Sequence, residues 1–196
     1  TYNNTLFHED RQVLEYINMK SPDIKYFVYQ NQHYPLDFTL LKSYSNYFFR
    51  NQKLYQDITL LNFDIIFTYI PNLSCDTIKT FVLYCQNKPI QFDNSNIIPL
   101  YLLSDSFEIL TLKNEIELYI EDHHKELIND FFSNFHKLKQ FDQRAYENIL
   151  YKHLHYYSKD DRLFLLSISS LHRIISQYYA QAKSVEKDEE SIVEFI

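Results

Sequence analysis

Glycine is absent from the 196 residues, although average usage near 7% would place about 14 in a chain of this length. Glycine supplies positive φ and lets backbone approach a ligand closely. The phosphate-cradling P-loop, the dinucleotide GxGxxG, the GxSxG nucleophile elbow and the EF-hand loop all depend on it, so none of them can be built here. Tight two-residue hairpins and left-handed helix caps fall to Asn and Asp instead, and the expectation is much helix and few hairpins. Cysteine is scarce as well. Cys75 and Cys85 fall ten positions apart in one predicted helix, about 15 Å at the helical rise, too far for a disulfide. Each reads as a small buried apolar residue rather than a reactive thiol or metal ligand.

Basic runs are also missing. The chain carries 19 Lys and Arg against 26 Asp and Glu, a formal charge of −7, with no stretch that would track a phosphate backbone, which argues against nucleic acid as a partner. No run approaches the roughly 18 apolar residues of a membrane span, and TYNNTLFHEDRQV lacks the basic and apolar regions of a signal peptide. The chain therefore reads as soluble and intracellular, cytoplasmic or nuclear, with no membrane partner. Opening on Thr1 and closing on SIVEFI, it also reads as a piece of something longer. What is abundant is aromatic: 18 Tyr and 16 Phe in a sequence that is 45% hydrophobic, ample for a real core.

The apolar residues Leu6, Phe7, Val13, Leu14 and Ile17 recur partly at helical spacing before Ser21-Pro22, predicting a short leading helix. IKYFVYQ and HYPL read as two strands around an Asn31-Gln32 turn, the second held to an edge by Pro35. From Asp37 the spacing turns helical, with Leu40, Leu41, Tyr44, Tyr47 and Phe48 on one stripe as far as Asn51. DITLLN and IIFTYI read as strands, and IIFTYI is the stronger core candidate. Ile78, Phe81, Val82 and Cys85 mark a helix opened by Ser74 or Asp76. PIQF reads as a strand, followed by a helix through Leu103 and another from Leu112 to Ile120. After a joint at His123-His124 the pattern is helical: ELINDFFSNF, AYENILYKHLHYY and DRLFLLSISSLHRIISQYYAQAK. The charged KSVEKDEES stretch reads as a solvated helix end or linker.

Taken together, residues 23 to 120 resemble the BTB/POZ domain. The resemblance begins at Asp23-Ile24 with Phe27 and Val28 as inward residues. It is most specific from Tyr34 to Phe48, where Tyr34, Leu36, Leu41, Ser45, Tyr47 and Phe48 stand in the family's register and Asp37 replaces its usual His. The Thr77–Gln86 helix with Phe81, and the order Asn96, Leu100, Leu103, Ser104, Asp105, Phe107, Ile109, Leu112, follow the family's later half. The helical remainder is similar to the BACK-type extension, and the composition to the divergent protist type often joined to ankyrin repeats, which would lie beyond Ile196.

The resemblance implies an α+β fold with a small strand cluster flanked by helices, followed by an all-α extension. The expected organisation is an interaction domain over 1–122, a BACK-like extension over 123–183, and a charged linker or the start of a further element over 184–196. Phe27, Val28, Leu41, Ser45, Phe48, Phe81, Leu103 and Leu112 would define the core, with the Ser45 hydroxyl bonded to a carbonyl one turn earlier. The family joins its homodimer through the leading region, here Leu6, Phe7, Val13, Leu14 and Ile17. A partner surface would include Tyr47, Phe49, Leu54 and Tyr55. The family also recruits cullin-type ubiquitin-ligase scaffolds through an apolar-x-Glu motif, and Leu54-Tyr55-Gln56 has Gln where that motif has Glu, so that property does not carry over intact.

Chemistry-bearing clusters read blandly. His153 and His155 point about 200° apart on a helix, a poor start for a metal site even with Asp160 and Asp161 near. His123-His124 reads as a helix-end charge partner or a linker. Ser167, Ser169 and Ser170 have no elbow to sit on, and the acidic pairs Asp160-Asp161 and Glu189-Glu190 fall at a helix start and in a charged tail. The expectation is thus no catalytic site, cofactor or metal, and a non-catalytic, self-associating adaptor whose partners are proteins. The rival readings are a structural domain packing against following repeats, or an enzyme with an unrecognised site.

Overall fold

A computed structural model describes residues 22–70, 72–137 and 140–193. The leading-helix residues Leu6, Phe7, Val13, Leu14 and Ile17 lie outside the described residues. The architecture is mixed: a three-stranded sheet with helices around it, then helices alone. The chain divides into two compact units between Tyr119 and Ile120.

In the first unit, β1 (Ile24–Tyr29) and β2 (Gln32–Asp37) form a hairpin in which Phe27 pairs with Tyr34. The turn residues are Gln30 and Asn31, one position before the predicted pair, and both have positive φ, 48° and 62°. Positive φ at both central residues is the turn that matches strand twist, so this chain builds it without glycine. Asn87 (φ 57°) and Glu108 (φ 53°) take the left-handed positions after two helices, where Lys88 N–H returns to the Leu83 carbonyl and Ile109 N–H to that of Ser104. Pro35 sits on β2, an edge strand of the order β2-β1-β3, where its missing N–H is tolerated.

Strand alternation buries Lys25, Phe27 and Tyr29 on one side of β1. Val28, expected to point inward beside Phe27, is only half-buried, because neighbours in a strand face opposite sides. The helix predicted from Asp37 to Asn51 is two helices, α1 (Phe38–Tyr44) and α2 (Asn46–Arg50), broken at an extended Ser45. Asp37 caps α1 by accepting from Thr39 N–H, and Ser45 caps α2 by accepting from Phe48 N–H. The Ser45 hydroxyl donates not one turn back but 62 residues on, to the Phe107 carbonyl at 2.5 Å. At the extended Ser45 the backbone N–H takes the Leu41 carbonyl one turn back, at 3.0 Å, and the side chain turns instead to Phe48 and Phe107.

A 3-10 turn (Gln52–Tyr55) then leads to β3 (Leu60–Asn62), parallel to β1 with Phe27 opposite Leu61. Only the end of DITLLN is therefore strand. IIFTYI is not a strand: it lies in α3 (Asp64–Phe67) and the turn after it. Phe63, Phe67 and Ile70 are the buried residues, at spacings of four and three, while Ile65 and Tyr69 are exposed; a short branched run is compatible with either period, and tertiary packing chose the helical one. Next come α4 (Cys75–Cys85), capped by Ser74, and α5 (Ile97–Ser106). PIQF between them forms no ladder. Pro89 lacks a donor, the Gln91 carbonyl accepts from the Asn96 amide, and Asp93 Oδ1 turns the chain by accepting from Ser95 and Asn96 N–H.

Phe27 is the hub of this unit, with the rings of Phe63, Phe67, Phe81 and Phe107 5.2 to 5.7 Å away. Phe48 stacks on Phe107 at 5.3 Å. Leu41, Ser45, Leu103 and Leu112 are also buried.

Helix α6 (Leu110–Asn134) runs without a break through His123-His124, where a joint was expected. Its buried stripe of Leu112, Ile116, Ile120, His124, Leu127 and Phe131 keeps helical spacing throughout, so His124 occupies a core position, not a helix end. In the second unit, α7 (Gln140–Lys152), the single turn α8 (Leu154–Tyr157), a 3-10 segment (Asp161–Leu165) and α9 (Ile168–Val193) follow. Glu147 of α7, itself buried, receives a bidentate pair from Arg173 of α9 at 2.9 and 3.0 Å. Among the described residues after Ile120 there is no strand.

Candidate interaction surface

The partner residues expected from the sequence separate into two pairs. Tyr47 and Tyr55 are half-buried and bonded to each other, hydroxyl to hydroxyl, at 2.9 Å. The Tyr55 ring lies 5.4 to 6.1 Å from those of Phe38, Phe48 and Phe63, so it anchors the 3-10 turn to the core. Burial, then the Tyr47 hydroxyl, pushes the Tyr55 phenol up from its ordinary value. Phe49 and Leu54 are the outward pair, 60% and 67% exposed.

Two further exposed apolar residues follow in the same stretch, Ile58 in the loop before β3 and Leu60 at the start of that edge strand. The loop is fixed by a buried lysine. Lys25 donates to the Ile58 carbonyl at 2.8 Å and to that of Gln56 at 3.3 Å, lies 3.6 Å from the Asp23 carboxylate, and covers the Phe38 ring at 4.9 Å. An ammonium this deep is tolerated only when paired. The available signal was the strand period: in IKYFVY, Lys25 is in phase with Phe27 and Tyr29. The surface is thus a run of outward apolar side chains on a backbone held by Ser45, Tyr55 and Lys25. It can bury apolar area against a protein.

A second cluster lies in the other unit. His124 and His153 stack face to face, centroids 4.2 Å apart and planes within 5°. His124 Nδ1 is 2.9 Å from the Tyr157 hydroxyl. His153 is 3% exposed and, among the described residues, its Nε2 has no hydrogen-bond partner, with Glu121 Oε2 3.6 Å away. Burial holds both imidazoles below their ordinary value. His155, paired with His153 in the sequence, is exposed, and among the described residues no group of three His, Cys, Asp or Glu is placed to hold a metal ion.

Ser167 accepts from Ser170 N–H and donates to the Ser170 hydroxyl, which in turn accepts from Arg173. These serines cap and brace α9. No described helix is long and apolar enough to cross a membrane. Compared with protein-family models the chain matches none, and compared with curated proteins it likewise matches none.

Proposed function

We propose that the chain is a non-catalytic protein-interaction module of the BTB/POZ type with a BACK-like helical extension, acting in a larger adaptor and self-associating. The observation that carries the reading is the exposed apolar stretch Phe49, Leu54, Ile58 and Leu60, displayed on a backbone held by Ser45 at the Phe48 N–H and by Lys25 at the Ile58 carbonyl. Apolar side chains grouped at the surface mark a protein contact. Supporting the family reading are the order hairpin, helix pair, parallel third strand, and the burial of Ser45 and Phe48 at the positions the resemblance singles out.

Self-association would run through the leading segment, with Leu6, Phe7, Val13, Leu14 and Ile17 covered by a twin. A cullin-type scaffold would meet the Phe49–Tyr55 face, with Gln56 in the motif's acidic position. Light scattering of the chain tests the first point. The expected mass is at least twice 23.9 kDa, and lower in Leu14→Asp/Ile17→Asp than in the parent. A parent running as a 23.9 kDa monomer at about 100 μM, where contacts with Kd in the micromolar range are occupied, overturns self-association. A purified cullin amino-terminal domain tests the second: Gln56→Glu should tighten binding and Phe49→Ala weaken it, and equal binding by both variants removes cullin from the partners.

A further inference from the structure

Helix α9 has two opposite faces of different character. One is docked: Ser170 and Ile174 are buried there, and Arg173 is clamped to Glu147 of α7. The other carries Ile168, His172, Ile175 and Tyr179, all exposed, Ile168 at 87%. At 3.6 residues per turn these four fall within about 60° of arc. Their spacing of four, three and four is the heptad alternation of a coiled-coil seam, with Ile168 and Ile175 at one seam position and His172 and Tyr179 at the other.

The geometry points to this face as the contact for a second copy of the chain, α9 against α9 in antiparallel register. In antiparallel coiled coils unlike seam positions face each other. Pairing Ile168 with Tyr179 of the other copy, and His172 with its Ile175, satisfies that rule at every layer at once, because both pairs are centred on one point between Arg173 and Ile174. A single twofold axis through that point makes the contact closed and self-complementary.

Charge permits it. The positions flanking the seam are Ser169, Leu171, Ser176 and Tyr178, uncharged in a chain of net charge −7, so two copies meet there without like-charge opposition. Area supports it. Ile168, Ile175 and Tyr179, with Phe164 and Leu165 of the preceding 3-10 segment, Phe164 at 83% exposed, present on the order of 600 Å² of apolar surface. That sum compares with the roughly 800 Å² that each partner contributes to a stable interface. This contact does not rest on the BTB/POZ reading and uses none of its residues.

The test uses the whole chain in a Leu14→Asp/Ile17→Asp background, which removes any contact through the leading segment. Light scattering should still give twice the monomer mass, and Ile168→Glu/Ile175→Glu should raise the dissociation constant on the order of a hundredfold with helix content unchanged. In a Cys75→Ser background, Ile168→Cys and Tyr179→Cys chains mixed together should form a mixed disulfide. Tyr179→Cys alone should not, its two copies lying about 16 Å apart along the axis. A monomer before the glutamate substitutions, including one whose α9 face is covered by its own leading segment, overturns the proposal. So does an unchanged mass after them, and cross-linking by Tyr179→Cys alone overturns the antiparallel register.

Discussion

Replacing Ser45 by Ala takes away two interactions with one oxygen. The hydroxyl accepts from Phe48 N–H at 3.1 Å, capping α2, and donates to the Phe107 carbonyl at 2.5 Å. Losing a serine cap costs about 1 kcal/mol, range 0.5–2. Removing the donor from a buried carbonyl costs about 1–3 kcal/mol in unpaid desolvation, because water cannot reach a residue that is fully buried beside Phe48. Sharing one atom, the two do not simply add, and Ser45→Ala should lose about 2–4 kcal/mol, a large part of the 5–15 kcal/mol that holds a domain folded. Since the chain has two units, a single unfolding curve would mix them. Hydrogen exchange of the peptide covering β1 reports opening of the first unit alone. Protection there should fall by about two orders of magnitude. Ser43→Ala is the control: its exposed hydroxyl donates to Leu40 within the helix, and the expected change is under about 0.5 kcal/mol. If Ser45→Ala behaves like Ser43→Ala, the bridge from the helix pair to Phe107 is not what holds Ser45 in place.

Leu41, fully buried on α1, should cost about 2–5 kcal/mol on truncation to Ala by the same exchange measurement; a loss below about 0.5 kcal/mol would remove it from the core. Thiol labelling should modify Cys75, which is partly accessible, and spare Cys85, which is fully buried and whose thiol burial pushes up, until the first unit unfolds; equal labelling rates in the folded chain would contradict that burial. For the second unit the expectation is a loss of stability in acid. His124 and His153 are held below the ordinary value of 6.5 first by burial; at His124, Glu121 and Glu126 oppose the shift and Lys125 and His155 add to it, and at His153 the stacked His124, His155 and Lys152 add to it and Glu121 opposes. The unfolded chain therefore binds these protons first, so stability is complete above about pH 6.5 and declines as the pH falls below it. Exchange of the α6 and α7 peptides from about pH 7.5 to about pH 5, corrected for intrinsic rate, should show the decline in the parent and a flatter profile in His153→Leu; equal profiles would mean that the stack is not the titrating element.

How much of this was legible depended on whether the sequence signal was local. The hairpin, the α4 stripe and the Ser74 cap are set by residues within one turn of each other, and patterning reaches them. Ser45 was legible as a polar residue that had to be satisfied, but its acceptor lies 62 residues away, beyond any periodicity. IIFTYI shows the opposite failure. Its branched and aromatic residues suit a strand, and what makes it a helix and turn is that Phe63, Phe67 and Ile70 all reach inward. That is a property of the packed unit and not of the six residues.

His124 and Lys25 share a physical reason for having been misplaced or missed. Polar side chains interrupt an apolar stripe, and a stripe interrupted by His123-His124 reads as two helices with a joint between them. The helix continues because a neutral imidazole can do what a ring of similar size does in a core: His124 stacks on His153 and bonds Tyr157. Lys25 is accommodated differently, its amino group over the Phe38 ring and on two carbonyls of the loop that leads into β3. In both cases the polar residue is in phase with its apolar neighbours, four positions after Ile120 on a helix or two before Phe27 on a strand. Phase, rather than polarity, therefore locates buried residues in this chain. The same criterion applied to α9 marks Ile168, Ile175 and Tyr179 as residues in phase with one another and exposed. That is why the surface of the second unit, and not only the Phe49–Leu60 stretch of the first, has to be included in any account of what this chain binds.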